Sequence, residues 1–304
     1  MAKSLPRQIL HNLLRQPSER LLALLYGRGW PAALAARFGG QPLPICDHQH
    51  VTLANAAAHR APLRFAFASD FHAGPTTDLH VITTACRLLA QAKPDVLLLG
   101  GDFVSLHLRD LDRLIAALQA VHAPLGRFAV LGNHDYWADP QAIINCLETT
   151  GIQVLVNKSA CLPAPYNDVW ICGLDDDEGR PDAARTLAGA HGTRIVLMHS
   201  PEGLRALQQH PFDLAFCGHT HGGQIAWPNG QPIGVPAGRF NWQFPAGRFQ
   251  VGLDNAQTLF VSRGVGSSTL PIRLFAVPDV IVCTIAWPAP AAGQATDVHI
   301  ADGR

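Results

Sequence analysis

The chain has 304 residues, 48% of them apolar, which is ample for one large domain or two small ones. Its 23 basic and 23 acidic residues cancel, which argues against a nucleic-acid partner, while 15 histidines are many for this length. Seven scattered cysteines with no C-x-x-C pair argue against a thiolate zinc site or a disulfide framework and suit a reducing compartment, the cytoplasm.

Leucines at 10, 13, 14, 21, 24 and 25 keep helical spacing over residues 5–27, interrupted by Pro17. The polar side carries Lys3, Arg7, Arg15, Arg20 and Arg28 against Glu19 alone. Two readings stand: a helix packed on the domain, or a basic amphipathic segment that makes peripheral contact with the inner membrane surface through residues 1–30. The run "LLALLY" (21–26) is flanked by Glu19, Arg20 and Arg28, a poor signal-peptide pattern. No stretch approaches the ~20 apolar residues of a spanning helix. Residues 1–38 thus form an N-terminal helical segment, and 39–62 read as an irregular connection.

From residue 63 a rhythm sets in. Apolar runs end abruptly in polar residues: "RFAFASDFH", "DVLLLGGD", "RFAVLGNHD", "VWICGLDDD", "RIVLMHS" and "DLAFCGHTH". Each reads as a buried strand. Between them, Leu79, Ile82, Cys86 and Leu89 keep helical spacing, as do Leu111, Leu114, Ile115 and Leu118. Residues 139–150 have Asp139 as N-cap, Pro140 at the first position and Gly151 just past the end, and Ser200-Pro201 opens another helix. This alternation predicts an α/β domain over 63–290. Helices stop after 222, strands follow in "QTLFVSRGVG" and "RLFAVPDVIVCTIAW", and 291–304 form a loose tail.

The strand ends deliver Asp70 and His72, Asp102, then Asn133, His134 and Asp135, then His199, and finally His219 and His221. Sites in α/β sheets form outside the carboxyl ends of strands. A single Asp there is an ordinary turn-former; five loaded ends are not. Four imidazoles, two carboxylates and an amide exceed one octahedral ion and suit two ions sharing a carboxylate. Nitrogen-rich donors favour Mn, Fe, Zn or Co over Mg or Ca. Two such ions clamp an attacking hydroxide and a phosphoryl oxygen together. In "GHTHGGQ" the glycines let the backbone curl so that each histidine serves a different ion.

The ordered set "SDFH", "GGDFV", "LGNHD", "LMHSPE" and "GHTHGGQ" resembles the calcineurin-like metallophosphoesterase superfamily over about residues 63–285. "GHTHGGQI" followed by "VSRGVGSSTLPIRL" resembles its bacterial phosphodiesterase branch, some members of which are membrane-anchored and some of which cleave UDP-2,3-diacylglucosamine. The resemblance implies a four-layer αββα sandwich with a dinuclear centre at the strand ends, Mn being the favoured metal. Asp70, His72 and His221 would hold one ion, Asn133, His199 and His219 the second, with Asp102 bridging. His134 would contact the phosphoryl oxygens together with Asn133 and protonate the leaving group, oriented by Asp135. The implied reaction is hydrolysis of a phosphodiester or pyrophosphate by a metal-bridging hydroxide, with a lipid-linked substrate as the variant reading.

One departure concerns phosphate binding. Some relatives carry an Arg shortly after the GD motif; here Ser105, Leu106 and His107 follow, and no arginine comes before Arg109. "DDDE" (175–178) would border the site or be a solvated loop. Arg263 would touch substrate or form an ion pair. "RFNWQF" (239–244), with Trp137 and Trp227, would give an apolar rim or core packing. A non-catalytic scaffold is the alternative from another class. Such a protein is free to lose a ligand or the spare histidine, and this chain has lost none.

Overall fold

A computed structural model describes residues 21, 24–53, 61–105, 107–252, 254 and 256–287. The leucine-rich stretch expected over 5–27 lies mostly outside the described residues, as does the tail at 291–304. In chain order the strands are β1 (Ile45–Thr52), β2 (Leu63–Ala68), β3 (Val96–Leu99), β4 (Gly126–Ala129), β5 (Gln153–Val154), β6 (Lys158–Cys161), β7 (Val169–Gly173), β8 (Thr193–Leu197), β9 (Leu214–Cys217), β10 (Gly247–Val251), β11 (Gln257–Val261) and β12 (Asp279–Ala286). The helices are α1 (Trp30–Arg37), α2 (Leu79–Gln91), α3 (Leu111–Leu118), α4 (Asn133–Ala138), α5 (Pro140–Thr149), α6 (Ala183–Thr186), α7 (Leu204–Leu207) and α8 (Arg239–Gln243).

Two six-stranded sheets form, in the orders β1-β12-β2-β3-β4-β5 and β10-β11-β9-β8-β7-β6. Period-2 alternation sorts each strand between two cores. Phe65 and Phe67 of β2 and Leu98 of β3 meet Leu197 and Phe216 of the other sheet, with the Phe67 and Phe216 rings 5.6 Å apart. The alternate residues Ala66, Leu97 and Leu99 face α2 and α3. On the far side, Val196, Ala215 and Leu259 pack under shorter helical turns. This is the four-layer αββα sandwich.

Helix caps follow the sequence. Asp78 accepts the His80 N–H at 2.8 Å and Asp139 accepts the Ala142 N–H at 3.0 Å, satisfying donors that have no intrahelical partner. At Ser200-Pro201 the helix is a single 3-10 turn (Pro201–Gly203) leading into α7.

Two expectations fail here. The segment 39–62 is not simply irregular, because β1 pairs in parallel with β12 from Ile45↔Asp279 to Thr52↔Ala286. As an edge strand with only Val51 buried, it carries no apolar run to betray it. Helices also do not stop after 222, since α8 forms within "RFNWQF".

β2, β3 and β4 are parallel and end level, Ala68↔Leu99 and Leu99↔Ala129. β8 and β9 are likewise parallel, with Leu197↔Phe216. Every loaded strand end therefore reaches the same edge of the sandwich.

Candidate metal centre

The loops behind these strands adopt unusual backbone. Asp70 (φ 55°), His72 (φ 42°), Asp102 (φ 54°), His219 (φ 69°) and His221 (φ 54°) are all left-handed. Non-glycine residues rarely sit there, and the surrounding structure must over-determine them. It does so by pairing the turns: the Asp70 N–H donates to Gly101 O and the His72 N–H to Asp102 O, both at 2.9 Å. The Gly266 N–H donates to Asp70 O at 2.7 Å. Gly132 and Gly218 are close-approach positions, where a Cβ would overlap the carboxylates of Asp102 and Asp70.

The seven side chains converge. His72 Nε2 lies 3.1 Å from His221 Nε2, and His221 Nε2 lies 3.4 Å from Asp70 Oδ1. His219 Nδ1 lies 3.0 Å from His199 Nε2, which is 3.2 Å from Asn133 Oδ1. One oxygen, Asp102 Oδ2, joins the two groups, 3.5 Å from His72 Nε2 and 3.4 Å from His199 Nε2. Ligand atoms of Asp70, His72 and His221 lie within 4.8 Å of one another, as do those of Asp102, His199 and His219.

Electrostatics suit cations. Burial alone would raise Asp70, but His221 and His199 hold it well below the usual carboxylate range. Asp102 is held down in the same way by His199, His134 and His72. Burial lowers His72 and His221, and with His199 nearby it takes His219 down to about 3. Three neutral imidazoles thus offer lone pairs at neutral pH. His199 differs: burial works against its charge, yet Asp102 keeps it well above the ordinary histidine value. Its Nδ1–H donates to Gly100 O at 2.8 Å, which directs Nε2 at the other ligand atoms. Two buried carboxylates around close nitrogen–nitrogen contacts form a donor set that fits divalent transition metals.

Behind His221 stands a residue that sequence reading missed. Arg273 is buried, and burial lowers it to about 10. Its Nη2 lies 3.0 Å from His221 Nδ1, and its donors go to the carbonyls of Gly266, Ala276, Arg263 and His221. It lies in "STLPIRL", quoted for its resemblance, but nothing local marks an arginine as buried.

His134 is anchored differently from expectation. Its Nδ1–H donates to Ser105 O at 2.6 Å, which leaves Nε2 as the nitrogen available to the cleft. The ring meets His72 edge-on at 4.6 Å and packs against Trp137 at 4.4 Å. Asp135 makes no hydrogen bond to this ring. Its carboxylate accepts the N–H groups of Asp102 (2.8 Å), Phe103 (2.9 Å) and Gly132 (2.9 Å) and so fixes the loop that carries Asp102. Burial and the nearby Asp102 push Asp135 up to about 8, while two of those donors, Gly132 and Phe103, pull it back.

The cluster floors a cleft of ≈ 550 Å³ whose walls include Trp137, Asp176, Asp177, Glu178 and Glu202. "DDDE" thus borders the site. Among the described residues no Lys or Arg lines the cleft; Arg109 points elsewhere, exposed and paired with Asp110 at 3.4 Å. Arg263 pairs with Asp279 at 3.1 Å. Of "RFNWQF", Phe244 is core, Asn241 lines the cleft and Trp242 is exposed, so the stretch is chiefly packing.

A sandwich of this kind with clustered His and Asp groups at one edge defines a metal-binding hydrolase of phosphoric esters. A family model described as calcineurin-like phosphoesterase matches residues 63–223, and the chain belongs to that family. It is 32% identical over 233 residues to "Phosphodiesterase YaeI" of Escherichia coli, covering 72% of this chain and 81% of the relative. It is 29% identical over 281 residues to "UDP-2,3-diacylglucosamine pyrophosphatase LpxG" of Chlamydia trachomatis, covering 73% and 83%. Among solved structures it matches a 5'-nucleotidase precursor from Thermus thermophilus with TM-score 0.42 and 16% identity, over 68% of this chain and 50% of that one.

Proposed function

We propose that the enzyme hydrolyses a phosphodiester or pyrophosphate using two divalent ions, manganese being favoured. Asp70, His72 and His221 hold one ion, Asn133, His199 and His219 the other, and Asp102 is shared. Such ions would supply Lewis acidity, lowering the pKa of water and offsetting charge on the phosphoryl oxygens. Asn133 and His134 orient the phosphoryl group. His134 handles the proton of the leaving oxygen from Nε2, with Ser105 O fixing its tautomer. Asp135 acts through the backbone, holding Asp102.

The observation that carries this reading is Asp102 Oδ2, placed within 3.5 Å of one imidazole in each group. The acidic walls add to it. A cleft with no lining Lys or Arg among the described residues leaves charge neutralisation to the ions and disfavours a polyanion such as nucleic acid. A small diester fits better.

A lipid-linked phosphoester or pyrophosphate is the second reading, favoured by the relative named for a diacylglucosamine nucleotide. It would place the enzyme in the cytoplasm, peripheral at the inner membrane surface. Among the described residues no helix is long and apolar enough to cross a membrane.

The test is a panel of bis-aryl phosphodiesters and nucleotide-linked pyrophosphates assayed with Mn²⁺. Chelator should abolish turnover and added Mn²⁺ restore it. Full activity in metal-free protein would overturn the mechanism.

A further inference from the structure

The apolar stripe of α1 faces outward. Trp30, Leu34 and Phe38 lie four residues apart, hence on one side of the helix, and are 59%, 50% and 78% exposed. The helix buries only Ala32. A surface helix normally turns this stripe toward the core. Just before it, Leu24 is 80% exposed.

A second apolar strip abuts this helix. In the segment 270–275 Arg273 points inward, while Leu270, Ile272 and Leu274, spaced by two, are exposed. Phe275 is exposed too, and it is held at φ 57°, a conformation that costs a bulky residue energy. The strip is tied to the end of α1 by the Arg273 N–H donating to Gly40 O at 2.7 Å. On its other side Leu274 O accepts the Ala226 N–H at 2.9 Å, which joins it to a turn presenting Trp227 and Ile233, both exposed.

This face ends at the mouth of the catalytic cleft. Gln224, Gly234 and Ser268 line the cleft and lie in the same short segments. Exposed apolar surface on this scale marks an interaction site. Its charge neighbours say which kind. Arg28 and Arg37 are exposed beside the stripe, and the preceding sequence adds Lys3, Arg7, Arg15 and Arg20 against Glu19. A two-fold pairing of chains through this face would bring like charges together. An anionic bilayer complements both the charges and the apolar tips.

We propose that the face built by α1, the 270–275 strip and the 225–233 turn docks on an anionic lipid surface and presents the cleft to substrate held there. The proposal deepens the lipid-linked reading above and rests on it for the substrate.

The test uses the full chain and sedimenting vesicles of phosphatidylglycerol mixed with phosphatidylcholine, beside pure phosphatidylcholine. The wild type should co-sediment with the anionic vesicles at low salt. Leu34→Ser/Phe38→Ser/Trp227→Ser/Phe275→Ser should lower partitioning about 10-fold or more, since each side chain loses interfacial burial. A second variant, Lys3, Arg7, Arg15 and Arg20 all to Gln, should lose binding to anionic vesicles specifically. Both should hydrolyse a soluble bis-aryl phosphodiester at the wild-type rate. A wild type that stays in the supernatant overturns the proposal, as does an apolar variant that binds like wild type. So does a dimer in sedimentation velocity that the apolar variant dissociates, which would assign the face to a second copy. Absence of diester hydrolysis by the wild type strikes at the catalytic reading instead, and the vesicle result then stands by itself.

Discussion

The two halves of the metal centre share donor chemistry and differ in their walls. Asp70, His72 and His221 are all buried, with Arg273 buried behind them. Of the second set, Asp102 and His199 are buried and His219 is only half-buried; Asp102 and His219 line the cleft, as do His72 and His221 of the first, and Asp176 forms part of the wall. The difference lies at His219, the one group of these six that is not fully buried, and at Arg273 behind the other set. Access, rather than ligand type, sets the difference.

Asp102 belongs to both halves, so its loss should cost most. Asp102→Asn should drop metal content below two ions per chain and slow turnover at least ~10³-fold, the several kcal/mol a bound ion contributes. Elemental analysis beside the rate checks this. A variant with two ions and native turnover would mean that the halves are independent.

His134 touches the comparison from the substrate side. His134→Ala should keep both ions and slow turnover roughly 10²–10⁴-fold. The loss should shrink for p-nitrophenyl leaving groups, which need little protonation. Equal loss for every leaving group would make His134 a phosphate-positioning residue.

Arg273 sharpens the contrast, since among the described residues its side chain meets His221 and none of the second set. Arg273→Met should weaken metal binding by Asp70, His72 and His221 by about 10–100-fold, because it frees the carbonyls of His221, Arg263 and Gly266 that hold the His221 loop in place, with Arg273→Lys intermediate. Chelator competition followed by Co²⁺ absorbance resolves the two ions. Equal weakening of both would show that Arg273 supports the fold, not His221.

The smallest effect concerns the open wall. Burial lifts Asp176 from an ordinary 3.8 to about 6. A carboxyl raised on folding contributes stability below its unfolded value, and that contribution is lost as pH climbs through about 6. In chelator-treated protein, Asp176→Asn should therefore stabilise at pH 8 by on the order of 1–3 kcal/mol, with the gain vanishing below about pH 4. Denaturant titrations at several pH values measure it. A gain independent of pH would exclude charge burial as its cause.

Much of this site was legible in the sequence because its carriers are local. An apolar run that ends in Asp, His or Asn announces both a strand and its cargo, and parallel pairing then brings such ends to one edge. Edge strand β1 was illegible because "ICDHQHVT" buries a single side chain. Adjacency in "NHD" suggests contact between Asp135 and the His134 ring, whereas α4 turns the carboxylate toward backbone donors from the Asp102 loop.

The sequence by itself determined the alternation of strands and helices, the order of the candidate ligands and the chemistry of the donors, since these follow from side-chain identity and short-range periodicity. Only the tertiary structure decided that Ser105 O sets the tautomer of His134, that Arg273 stands behind His221, and that the stripe on α1 faces outward. The reason is physical: every residue carries the same carbonyl, and whether an arginine is buried or a leucine exposed depends on what distant segments pack against it.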